Sequence, residues 1–157
     1  MKQEEIIQNN KLIAEFMNLN DQILSIGSMH SWNDSPFYYT TEDSKEKVIE
    51  NIAKYAKYHS SWDWLMPVVE KIESLRIKGK YEKHNNEIVN CEYLFTVVIS
   101  DKQCIINNYI IPQYYGIEED LLKLYDCRNT SKIDAVYKAV IEFIKWYNEN
   151  TSKLTDN

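Results

Sequence analysis

Ile88-Val89-Asn90-Cys91-Glu92-Tyr93-Leu94-Phe95-Thr96-Val97-Val98-Ile99-Ser100, then Asp101-Lys102, then Gln103-Cys104-Ile105-Ile106-Asn107-Asn108-Tyr109-Ile110-Ile111 is the stretch that decides the fold. The first run is dominated by Val, Ile, Tyr and Phe, side chains that fit the pleated surface of a strand. Asp101-Lys102 is a polar break of hairpin length, so the two runs pair antiparallel. Upstream, Ile77 to Lys83 alternates weakly and ends at the turn signal His84-Asn85-Asn86, which adds a strand. Downstream, Pro112 and Gly116 end the sheet, and Ile117 to Tyr125 offers Leu121, Leu122 and Tyr125 as a short helical turn. The reading is an α+β chain with an antiparallel sheet of three or four strands.

Helices surround that sheet. Lys132 to Tyr147 puts Ile133, Val136, Tyr137, Val140, Ile144 and Tyr147 on one stripe, with Thr130 or Ser131 as cap. Beyond Tyr147 the periodicity ends, and residues 150–157 are expected to fray. Gln3 to Met17 lines up Ile6, Ile7, Leu12, Ile13, Phe16 and Met17, and stops near Asn18 or Asn20 because asparagine tolerates the left-handed conformation that ends helices. Ser44 to Tyr58 repeats the pattern with Val48, Ile52, Tyr55 and Ala56. Another helix, capped by Ser60 or Ser61, runs to Leu75 or Arg76 and is expected to bury Trp62, Leu65, Val69 and Ile72, with Pro67 kinking it or tightening its first turn. Gln22 to Met29 reads as a short strand and Ser31 to Thr41 as a loop. One α+β domain over residues 1–149 suits a chain of 157 residues.

Composition narrows the function classes. At 44% hydrophobic and 13% aromatic, the chain has material for a core. A net charge of -6 argues against general affinity for phosphate backbones, which rests on clustered Lys and Arg. The three cysteines, Cys91, Cys104 and Cys127, are odd in number and lack CxxC spacing, so neither a disulfide framework nor a zinc knuckle is indicated, and a reducing cytoplasm fits. Met1-Lys2-Gln3-Glu4-Glu5 is too acidic for a signal peptide. No apolar run approaches the roughly 20 residues that cross a bilayer.

Asn10 to Met17, Tyr58 to Glu73 and Lys132 to Asn148 resemble the three signature blocks of small phage and prophage proteins of the phage α/β/α-sandwich type, common among phages and hosts of the Bacteroidetes. The blocks cover about a quarter of the chain. The resemblance implies a small cytoplasmic phage protein with helices packed on a sheet, and implies no activity. The chain departs from the pattern at Asn18, where a glycine is usual, and between Asp21 and Lys57, where the connection is longer and carries an extra helix. Insertions on a small scaffold often carry a partner surface.

The constellations of chemical interest each have a structural explanation. His59, Ser60, Ser61 and Asp63 are the residue types of a hydrolase triad, but their succession lacks the convergence from separate elements that a triad needs, and helix capping accounts for them. His30, His59, His84 and the cysteines show no metal-ligand spacing. Gly27, Gly79 and Gly116 are the only glycines and form no phosphate loop. The expectation is a non-enzymatic protein with no catalytic, cofactor-binding or metal-binding residues.

Two groups remain as partner-binding candidates. Trp32, Phe37, Tyr38 and Tyr39 form an aromatic loop of the kind that anchors interfaces. Lys78, Lys80 and Lys83, with Lys71 and Arg76, form the one local basic patch; its bland reading is a solvated face. The function expected is inhibition of a host defence protein in the bacterial cytoplasm, with a CRISPR-Cas effector nuclease or its ribonucleoprotein as the leading target. The alternative is a sponge that sequesters a nucleotide signal by aromatic stacking.

Overall fold

The computed structural model describes residues 2–18, 45–82, 86–112, 122–129 and 131–155. Among them are four helices and four strands: α1 (Gln3–Phe16), α2 (Lys45–Tyr55), α3 (Trp62–Ser74), β1 (Arg76–Glu82), β2 (Ile88–Ile99), β3 (Gln103–Pro112), β4 (Leu122–Arg128) and α4 (Lys132–Thr155). The fold is α+β, and the strands form one antiparallel sheet in the order β1-β2-β3-β4. The chain divides into two compact units, Met1–Trp64 and Leu65–Asn157. The expected strand over residues 22–29 and loop over residues 31–41 lie outside the described residues.

In the first unit, α1 packs against α2. Ile13 and Ala14 of α1 and Val48, Ile49, Ile52 and Ala53 of α2 are buried, the apolar stripes that helical spacing predicts. Glu4 and Glu5 sit in the first turn of α1, at the positive end of its dipole. The helix ends where expected: Asn18 adopts φ 54°, and its N–H donates to the oxygen of Glu15 at 3.0 Å. Within this unit the Tyr58 and Trp64 rings also meet edge to face at 5.3 Å, both buried.

The second unit is the sheet with α4 and most of α3. The central hairpin closes as its sequence predicts, with Ile99 opposite Cys104 and the Ser100 N–H donating to the oxygen of Gln103 at 2.9 Å. Register puts Ile77, Cys91, Phe95, Cys104, Ile106, Ile110 and Cys127 on one face, all buried. Helix α4 packs on β1, β3 and β4, and its Phe143 and Trp146 rings lie 5.0 and 5.7 Å from that of Phe95. Ser131 caps α4: its Oγ accepts from the Asp134 N–H at 3.2 Å and its hydroxyl donates to Asp134 Oδ2 at 2.6 Å. The helix continues past Tyr147 to Thr155, through residues whose pattern suggests a frayed tail.

Two expectations are corrected here. Residues 122–125 belong to the strand β4 rather than to a helical turn. The register shifts between Ile106, opposite Tyr125, and Asn107, opposite Lys123, so Leu124 is an extra residue, and this bulge breaks the period of two that would have marked a strand. In α3 the buried residues are Trp64, Leu65, Val68, Val69 and Ile72, while Trp62 is 36% exposed. Pro67 is an exposed residue of α3, and the helix runs through it to Ser74.

Candidate functional site

Trp32, Phe37, Tyr38, Tyr39 and Lys83 lie outside the described residues. The structure places Lys78 and Lys80 together. Both are exposed on β1, two residues apart and therefore on one face of the strand, with exposed Arg76 next in the same row. Opposite them on β2 stand Glu92, Asn90 and Leu94 respectively. Among the described residues, neither lysine has an ion-pair partner within 4.0 Å.

Each end of this row is held by main-chain hydrogen bonds. The Arg76 guanidinium donates to the oxygens of Glu73 and Leu75 at 3.0 and 2.8 Å, satisfying carbonyls at the C-terminus of α3. The Tyr93 hydroxyl donates to the oxygen of Lys80 at 2.9 Å. Beyond Arg76 the edge of β2 is covered differently: the Val97 N–H donates to Glu73 Oε1 at 3.1 Å. Among the described residues, β1 is an outer strand of the sheet, paired only on its β2 side. Lys71 separates from the group, since it is half-buried on α3 and burial lowers its pKa.

Among the described residues, which do not include His30 and His84, the catalytic and metal constellations do not assemble. His59 is half-buried in the turn before α3, Ser60 and Asp63 are exposed, and the N–H groups of Ser60 and Ser61 both donate to the oxygen of Lys57. Among the described residues, no three His, Cys, Asp or Glu side chains are grouped to hold a metal ion. The cysteines are free, buried thiols. Burial raises the pKa of all three, and Cys104, further opposed by Cys127 directly across the strands, is pushed up to about 12. Thiols so placed are core side chains rather than nucleophiles.

Several features escape the sequence. Tyr55 is 49% exposed, with the Lys54 ammonium 5.2 Å from its ring centroid, and Trp62 is exposed as well, so two aromatics face outward where core positions are expected. Asn107 and Asn108 are buried in β3, on opposite faces. Among the described residues, Asn108 Oδ1 and Thr96 Oγ1 are buried without a hydrogen-bond partner. No helix among the described residues is long and apolar enough to cross a membrane. Compared with known proteins, the chain matches no family model, no curated protein and no solved structure.

Proposed function

We propose that this chain is a non-enzymatic binding protein that engages and inhibits a host defence protein in the bacterial cytoplasm, with an RNA-guided nuclease as the leading target. The observation that carries the binding reading is the exposed row Arg76, Lys78, Lys80 on a strand that is outermost among the described residues, in a chain whose net charge is -6. Cations concentrated on one strand of an acidic protein favour one orientation of encounter with a negatively charged partner. The exposed rings of Tyr55 and Trp62 are of the type that carries binding energy at interfaces. The phage context, and with it the target class, comes from the resemblance of the three segments described above.

The test is capture from a bacterial host lysate on the immobilised chain, followed by mass spectrometry and by a cleavage assay of any nuclease recovered. Recovery of a nuclease whose cleavage falls when the chain is added supports the reading. Nucleotide absorbance in the gently purified protein, with no captured protein, would replace it by sequestration of a nucleotide signal.

A further inference from the structure

We infer that the outer edge of β1 takes up an extended acidic segment of the partner protein as an additional strand. This rests on the protein-binding reading and names its surface. Strand β1 pairs with β2 along Arg76 to Glu82, and among the described residues nothing pairs with its other side. An outer strand offers main-chain N–H and C=O groups to any extended chain that can lie beside it.

The side chains decide which chain that is. Arg76, Lys78 and Lys80 recur every second residue, so their charges stand about 7 Å apart on one face. A strand added at about 4.8 Å puts its own alternate residues beside them, and carboxylates at those positions meet three cations. A second copy of β1 is the wrong occupant, because antiparallel pairing about Lys78 sets Lys78 against Lys78 and Arg76 against Lys80. Between Lys78 and Lys80 on the strand, Gly79 has no side chain on the opposite face, and glycine within a strand can mark a place where another backbone comes close.

The probe is a fluorescein-labelled heptapeptide with glutamate at alternate positions and valine or threonine between, compared with its lysine counterpart by fluorescence anisotropy at low and high salt. The glutamate peptide is expected to bind more tightly, to weaken with salt, and to slow amide exchange in residues 76–82. Lys78→Glu/Lys80→Glu is expected to lower its affinity at least about tenfold. Should the like charge of Glu92 unfold that variant, Lys78→Gln/Lys80→Gln is expected to weaken binding in the same direction.

Equal binding of the two peptides, unchanged exchange in β1, or displacement of the peptide by single-stranded RNA of equal charge at lower concentration overturns the inference. Lysate capture separates the two claims. A host protein retained equally by the wild type and the glutamine variant leaves the inhibitor reading standing and removes β1 as its surface. Peptide binding at β1 with no captured protein supports the edge site and counts against the inhibitor.

Discussion

The carboxamide of Asn10, buried on α1, donates to the main-chain oxygens of Ala56 at 2.9 Å and Ala53 at 3.1 Å, closing the C-terminal end of α2. A helix leaves its last carbonyls without partners, and here a side chain 46 residues away supplies what water cannot reach. Asn10→Leu removes the donor and leaves both oxygens unsatisfied. Urea unfolding is expected to show a loss of about 2–3 kcal/mol. Asn10→Asp is expected to lose at least as much, since a buried carboxylate facing two carbonyl oxygens is repelled by them.

Asn18 ends α1 with φ 54°, a conformation that glycine adopts without a Cβ penalty. Asn18→Gly is therefore expected to be neutral or mildly stabilising, and Asn18→Ala to cost about 1 kcal/mol in the same unfolding experiment. Equal stability of the two variants would mean that this residue does not set the end of the helix.

Much of the fold is legible because its signals are local. The run Ile88 to Ser100, the break at Asp101-Lys102 and the stripe of α4 each declare one element within a short window. Strand β4 is not legible because its bulge spoils the alternation, and the bulge exists only in relation to β3. Neither helical angle nor hydrophobicity separates Trp62 from Trp64, which lie about 200° apart on opposite flanks of the Leu65, Val68, Val69, Ile72 stripe. What decides is the Tyr58 ring, which Trp64 meets edge to face.

The candidate site is legible by half. Charge and position in the sequence suffice to single out Lys78 and Lys80, and strand periodicity places them on one face with Arg76. That their strand is an outer one among the described residues follows from the strand pairing, which composition does not reveal. The buried Asn107 and Asn108 were equally hidden, because asparagine in a strand-like run reads as a surface residue until its neighbours are known.

The same Tyr58 contact separates the two tryptophans energetically. Trp64→Ala empties a buried ring position and is expected to cost about 3–5 kcal/mol, whereas Trp62→Ala is expected to stay within about 1 kcal/mol of the wild type. Thermal unfolding followed by far-ultraviolet circular dichroism distinguishes them. Comparable losses would mean that the core side of α3 has been assigned to the wrong flank.

Thr96 carries a buried hydroxyl with no partner among the described residues, a group whose desolvation costs about 1–3 kcal/mol when nothing offsets it. Valine keeps the branched shape without the hydroxyl. Thr96→Val is expected to raise unfolding stability by about 1 kcal/mol. A loss of stability would show that the hydroxyl has a partner after all.

Cys104 gives the chain an alkaline signature. Burial first and Cys127 second disfavour the thiolate, so in the folded protein its pKa is pushed up from the ordinary 9.0 to about 12. Below about pH 9 the thiol is protonated in folded and unfolded chains alike, and its contribution does not change with pH. Above that value the unfolded chain gives up a proton that the folded one keeps, so the unfolded state gains and stability falls until pH nears 12. Lysines and tyrosines titrate in the same range, so the useful quantity is the difference between wild type and Cys104→Ala. The variant is expected to be less stable at neutral pH and to lose stability more slowly between pH 9 and 10.5, measured by urea unfolding with a reductant present. Parallel curves for the two proteins would show that the thiol does not hold its proton on folding. Labelling by a disulfide reagent at pH 8 should likewise be slow in the native protein and speed up with added urea, since the buried thiol becomes a nucleophile only when exposed.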